Sequence, residues 1–262
     1  MKTYIQQFGK QRTGTNYLKA LLARNFTDIV LFDNRLGSKH KPFQPVAEWI
    51  RERGIDRLEA FHELLRSDSY WRKRNRATTD PFEWVHQPVT YQELLGLSGG
   101  ACPLHYLISI KNPYAFAVSA NRWFRPGFRN FTEPPRAEFL DPLVIVPQCH
   151  EFNAAYASYL PLLESGRGLL VRYEELLTDA CGILRRIQES FRLGAPASFE
   201  DVCQTVTPGS GVSQSPFYRL FYLEKQYMKA LSSELLDLID AAIDWDLMRR
   251  YGYSSVERIS RR

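Results

Sequence analysis

The chain has 262 residues, with 34 Lys and Arg against 29 Asp and Glu, for a formal net charge of +5 at pH 7. Its 44% hydrophobic and 24% charged residues are the proportions of a folded globular chain and exclude collagen, a coiled coil and a wholly disordered polymer. No apolar run reaches the ~20 residues that span a bilayer, and Met1–Phe8 lacks the apolar core and cleavage site of a signal peptide. Cys102, Cys149, Cys181 and Cys203 never pair at C-x-x-C spacing. The expectation is therefore a cytoplasmic protein without a transmembrane segment or a structural zinc site. The sequence pI of about 9.0 suits anionic partners without specifying them.

Residues 3–8 (TYIQQF) and 28–33 (DIVLFD) are β-branched and aromatic stretches that predict strands. Between them, Leu18, Leu21, Leu22 and Phe26 mark one apolar helix face, beginning at Thr15 or Asn16 as N-cap. Residues 44–98 read as a helical insertion punctuated by Pro45, Pro81 and Pro88. Residues 105–110 (HYLISI) predict a third strand, and Asn112-Pro113 opens another helix, with Asn as cap and Pro in the first turn. Residues 168–173 (GLLVRY) predict a fourth strand, followed by an amphipathic helix through Ile183, Leu184, Ile187 and Phe191. A Gly/Ser/Pro-rich loop at 207–216 leads to a last helical region through Leu231, Leu235, Leu236, Ile239 and Ile243. The alternation predicts one α/β domain over 1–262, a central parallel sheet between helical layers, with the insertion 44–98 and a C-terminal loop and helices over 207–262.

The first loop, Gly9-Lys10-Gln11-Arg12-Thr13-Gly14-Thr15-Asn16-Tyr17, joins a strand to a helix N-terminus, where backbone N–H groups and the helix dipole converge. Arg12 adds a forked donor, and Thr13, Thr15 and Asn16 add side-chain donors. Gly9 and Gly14 keep the G-x-x-x-x-G spacing of the Walker A loop, but Thr15-Asn16 stand where Lys-Ser/Thr would. Lys111 closes the third strand, and Ser119 follows eight residues later. Two anion sites at the carboxyl ends of parallel strands would bracket a nucleotide with phosphates at both ends of its ribose.

These residues resemble the sulfotransferases that use 3′-phosphoadenosine 5′-phosphosulfate, which share the three-layer fold of P-loop nucleotide-binding proteins. Arg12-Thr13-Gly14-Thr15-Asn16 is similar to that family's 5′-phosphosulfate loop. Lys111 to Ser119 keeps the spacing and the Asn-Pro turn of its 3′-phosphate motif, with lysine in place of the forked arginine. Leu170-Val171-Arg172-Tyr173-Glu174-Glu175-Leu176 looks like its strand ending in Arg-Tyr-Glu-Asp-Leu. The resemblance spans roughly residues 3–193. It implies that Arg12 contacts the 5′-phosphosulfate and steadies the leaving phosphate, that Thr13, Gly14, Thr15, Asn16 and Tyr17 line the same group, that Lys111 and Ser119 take the 3′-phosphate, and that Tyr173 lies near the adenine. The family's closing Arg-Lys-Gly segment has no counterpart here, and the 207–216 loop with Arg219 is the candidate for that task.

Sulfuryl transfer to a hydroxyl needs a base. His105 starts a strand and so lies at the sheet's far end, His62 sits in an amphipathic helix, and His86 and His150 carry no partner signal. His40 follows the second strand and is the candidate base, with Lys39 beside it as stabilising charge; the pair resembles the family's Lys-x-His loop. No metal is required. The acceptor is read as a small molecule or glycan, with a carbohydrate or glycolipid hydroxyl preferred, recognised by the insertion and by residues 120–147, whose Trp49, Tyr70, Trp71, Trp84, Trp123 and Phe128 either stack on sugar rings or form the insertion's own core. Two other classes compete. A kinase using Mg²⁺ and ATP would read Asp33 as its metal-binding aspartate. A non-enzymatic anion or nucleic-acid binder would use Arg122-Trp123-Phe124-Arg125 and Phe128-Arg129; the expectation is no nucleic acid. Oligomeric state is not legible.

Overall fold

The computed structural model describes residues 2–75, 88–124, 137–194, 196, 198–202 and 215–256. In chain order they form β1 (Thr3–Phe8), α1 (Thr15–Asn25), β2 (Ile29–Phe32), then α2 (Val46–Glu52), α3 (Leu58–Ser67), α4 (Ser69–Arg74) and α5 (Tyr91–Ser98). There follow β3 (Leu104–Ile110), α6 (Pro113–Phe124), α7 (Pro142–Glu164), β4 (Gly168–Arg172), α8 (Tyr173–Thr178), α9 (Ala180–Phe191), α10 (Ser215–Leu223), α11 (Ser233–Ala242) and α12 (Trp245–Arg250). The four predicted strands stand within a residue of their expected bounds.

The strands make one sheet in the order β2-β1-β3-β4, and every pair is parallel. Because side chains alternate along a strand, each strand feeds both faces. Ile5, Ile29, Leu31, Leu107 and Val171 pack against α1 and α9 through Leu18, Leu21, Leu22, Ile183, Leu184 and Ile187. On the other face Tyr4, Phe8, Val30, Phe32, Tyr106, Ile108 and Ile110 join a larger core with the insertion and with α6, α7 and α11. The predicted architecture, a parallel sheet flanked by helices, is the observed one.

The order fixes where a ligand can sit. From β1 the chain moves outward to β2 on one side; β3 then pairs with β1 on its other side. The carboxyl ends of β1 and β3 therefore flank the point where the winding reverses, the crevice in which open α/β sheets bind ligands. The predicted loop leaves β1 there, and Lys111 leaves β3 beside it. The pairings Ile110↔Arg172 and Phe8↔Ile108 set Lys111 next to Tyr173 and Gly9 next to Ser109.

One local expectation is corrected, and one helix appears that the sequence pattern does not predict. The N-cap of α1 is Gly14, in the left-handed region at φ 85, while Thr15 is already helical. The segment 142–164 is one helix of 23 residues. Its Pro147 and Pro161, and its apolar solvent side, mask the periodicity that would reveal it. Of the aromatics assigned to acceptor recognition, Trp49 and Trp71 stack on each other at 5.7 Å inside the insertion's core. Trp84 and Phe128 lie outside the described residues.

Candidate functional site

The loop after β1 is shaped by its own residues. Gly9 passes so close to β3 that a Cβ there would stand 2.6 Å from the Ser109 carbonyl oxygen. Thr13 is buried, and its hydroxyl donates to the Lys10 carbonyl at 2.7 Å. Arg12 has a left-handed backbone at φ 73, a conformation that strains a non-glycine residue by about 1 kcal/mol. From that position its guanidinium lies 5.3 Å over the Trp123 ring of α6. Gly14 has no room for a side chain, since a Cβ would fall 2.3 Å from the Tyr173 ring.

Helix α1 starts from this loop without a side-chain cap, whereas Asp68, Thr90, Asp141, Asp179, Ser232 and Asp244 cap α4, α5, α7, α9, α11 and α12. The first-turn N–H groups of Thr15, Asn16 and Tyr17 lack intrahelical acceptors by construction, so α1 presents donors and its positive dipole end to the loop.

The loop after β2 closes against the same place. Gly9 N–H donates to the Lys39 carbonyl at 2.9 Å, and the Lys39 ammonium donates to Asn16 Oδ1 at 3.0 Å. His40 Nδ1 lies 2.5 Å from the Gly9 carbonyl oxygen. A carbonyl only accepts, so Nδ1 carries the proton and Nε2 keeps its lone pair. Burial, reinforced by Lys39 and Lys10 and only partly opposed by the Gly9 bond, lowers the His40 pKa to about 4. The ring is neutral at pH 7, with a basic nitrogen free of the Gly9 contact.

Beneath this loop lies a buried charge network that the sequence did not announce. Lys19 of α1 is ion-paired with Asp33 at the end of β2, both 3% exposed at the side chain. Tyr70 of α4 donates to the other Asp33 oxygen at 2.5 Å. Burial raises the Asp33 pKa, but Lys19, Lys39 and the two hydrogen bonds outweigh it and hold the carboxyl well below its usual range. Both oxygens are engaged, so Asp33 offers no open ligand of the sort a Mg²⁺-ATP kinase would place there. Lys10 is buried and bonds Glu151 of α7 at 2.6 Å.

Lys111 and Ser119 lie at the adjacent strand end, both buried. The Lys111 ammonium sits 4.1 Å from the centroid of Tyr173 and 3.8 Å from that of Tyr222. Among the described residues no carboxylate pairs with it. Burial lowers its pKa well below the ordinary lysine value, the nearby Arg12 charge adds to this, and Glu174 opposes it. Ser119 Oγ and Tyr222 OH share a hydrogen bond of 2.7 Å.

The remaining candidates fall as follows. Tyr17 OH donates to Asp201 at 2.5 Å, and Asp201 also meets Arg219 at 3.7 Å. His105 stacks on Phe191 at the start of β3, while His62 and His150 are exposed on α3 and α7. His86, Arg125, Arg129 and residues 207–214 lie outside the described residues. Arg122 is buried and the half-buried Trp123 lies under Arg12, while Phe124 is exposed. Sequence reasoning missed Tyr222, which has no motif around it, and Lys19, whose burial is invisible until its partner Asp33 is placed.

No protein-family profile matches the chain, and no curated protein matches it. Solved structures similar to it include the sulfotransferase domain from the Synechococcus olefin synthase, at 15% identity over 97% of this chain and 95% of that one, with a TM-score of 0.45. The sulfotransferase domain from the curacin biosynthetic pathway is 13% identical over 98% and 99%, also at 0.45. A sulfotransferase of Mycobacterium avium is 15% identical over 75% and 65%, at 0.38. Among the described residues no helix is long and apolar enough to cross a membrane.

Proposed function

We propose that the chain is a sulfotransferase that moves a sulfuryl group from 3′-phosphoadenosine 5′-phosphosulfate to an acceptor hydroxyl. The supporting observation is the pairing of two basic sites at one crevice: the uncapped α1 N-terminus with Arg12, and Lys111, ion-paired with no carboxylate among the described residues, beside Ser119, joined through Tyr173, which touches Gly14 and Lys111 alike. A buried ammonium without a carboxylate is the chemistry of a site that takes an anion. That pair fits a nucleotide bearing phosphate at both 5′ and 3′ positions better than a triphosphate.

In this role Arg12 and the first-turn N–H groups of α1 hold the 5′ end and offset charge on the departing phosphate oxygen. Lys111 and Ser119 hold the 3′-phosphate, and Tyr173 lies between. His40, fixed by Gly9 in its Nδ1–H tautomer, takes the acceptor proton at Nε2, and Lys39 adds positive charge beside it. Bound there, the nucleotide supplies the sulfuryl group. The acceptor class we favour is a carbohydrate or another hydroxyl-bearing small molecule. The whole chain acts as one domain, in a cytoplasmic setting.

Calorimetric titration with 3′-phosphoadenosine 5′-phosphate, in parallel with ATP and Mg²⁺, tests the proposal. Expected is micromolar binding of the bisphosphate without metal, weakened at least tenfold by Arg12→Ala and by Lys111→Ala, each of which removes a charge-assisted contact of about 1.5–3 kcal/mol. Binding of Mg²⁺-ATP alone would favour the kinase, and binding of neither would remove the nucleotide site.

A further inference from the structure

Tyr222 stands where the 3′ anion site has to work. Its hydroxyl is bonded to Ser119 Oγ at 2.7 Å, and the Lys111 ammonium rests 3.8 Å from its ring centroid. One side chain thus covers both groups that would take the phosphate. Its ring also meets Tyr173 edge-on, with centroids 5.2 Å apart, so two aromatic rings lie against the ammonium. A ring face is a weak substitute for an anion, and a neutral hydroxyl pair is a weaker bond than a charge-assisted one. An incoming phosphate offers charge to Lys111 and stronger acceptors to Ser119.

Helix α10, which carries Tyr222, is held from a second direction. Arg219, one turn earlier on the same face, pairs with Asp201 at 3.7 Å, and Asp201 accepts from Tyr17 in the first turn of α1. Phe221 is buried in the main core and anchors the helix itself.

We infer that Tyr222 is a built-in plug of the 3′-phosphate subsite: its hydroxyl engages Ser119 and its ring engages Lys111, and a nucleotide must displace it to bind. The inference rests on the nucleotide reading above. It makes the 3′-phosphate the element of the ligand that opens the site, and so a determinant of selectivity against nucleotides phosphorylated only at the 5′ position.

The test compares the full chain with Tyr222→Phe, which keeps the ring and removes the hydroxyl. Two probes are used, 3′-phosphoadenosine 5′-phosphate and adenosine 5′-phosphate. The plug predicts that the variant binds the bisphosphate about fivefold tighter, the worth of one neutral hydrogen bond, and binds the 5′-monophosphate unchanged. In stopped-flow, the wild-type association rate should level off with ligand concentration, as displacement becomes limiting, and the plateau should rise in the variant. Weaker bisphosphate binding by Tyr222→Phe would make Tyr222 a nucleotide ligand and overturn the plug, while equal binding would make the contact incidental and overturn it too. In both cases the nucleotide site itself would stand. Failure of wild type and variant alike to bind the bisphosphate would sink the nucleotide reading and this inference together; binding by the variant alone would be its strongest support.

Discussion

His40 shows how one backbone carbonyl can set the chemistry of a side chain. The Gly9 oxygen selects the tautomer, and burial keeps the ring neutral with a pKa of about 4. In the proposed role of base it should stay competent through pH 5–8, so kcat should be flat there and fall only as pH approaches 4. His40→Asn should lower kcat by about 10²–10⁴-fold with little change in bisphosphate affinity; an affinity loss without a kcat loss would make His40 a binding group. The same shift has a stability consequence of definite sign. The folded pKa lies below the unfolded value of about 6.5, so the unfolded chain takes up the proton first. The His40 contribution is fully present above pH 6.5 and is lost as pH falls from 6.5 towards 4, and His40→Asn should flatten that part of an acid melting profile. Lys111 makes the complementary case. An ammonium buried with no ion-paired carboxylate among the described residues costs stability, so Lys111→Met should melt no lower than wild type, and by about 1 kcal/mol higher if the thioether packs well between Tyr173 and Tyr222, while abolishing stabilisation by the bisphosphate.

At the scale of elements, the site depends on a loop that cannot carry side chains at two positions. Gly14→Ala sets a Cβ against the Tyr173 ring at a φ of 85 that alanine resists, and should cost about 1–3 kcal/mol. Because Tyr173 must move, bisphosphate affinity should fall at least tenfold; a variant with normal affinity would show that Tyr173 does not link the two subsites. Much of this loop was legible beforehand. A glycine-bearing turn between a β-branched strand and a leucine-faced helix admits few geometries, and the Asn112 cap was realised as read, its side chain accepting from Tyr114 N–H at 3.0 Å. Less was legible in α7, where two prolines interrupt the pattern and Leu143 is 86% exposed, so an apolar residue there does not mark the inner face. The placement of Tyr222 could not be read at all, because a contact between residues 119 and 222 leaves no periodic trace in either segment.

For the whole molecule, Asp33 is the point where three regions meet: β2 supplies it, α1 supplies Lys19, and the insertion supplies Tyr70. Asp33→Asn would leave Lys19 and Lys39 buried without their counter-charge, a loss of about 3–5 kcal/mol. For a chain of this length that corresponds to a melting temperature lower by on the order of 10 °C, measurable by calorimetry; a shift of a degree or two would mean that the lysines find other anions. The sequence offered Asp33 only as a metal ligand for a rival activity, because an acidic residue at a strand end looks the same whether it faces solvent or a buried lysine.

The strand order also bears on synthesis. β1 pairs with β2, the next strand of the chain, but its other edge stays open until β3 is made, about a hundred residues downstream. A nascent chain therefore carries a bare apolar strand edge for much of its translation, the feature that recruits chaperones and seeds aggregation. The crevice is lined by Lys111 after β3 and by Tyr173 after β4, so it is completed only when β4 has joined the sheet, and ligand binding reports on that last pairing. In a pulse-labelled or ribosome-arrested series, nucleotide should protect chains that extend past β4 and leave shorter ones untouched.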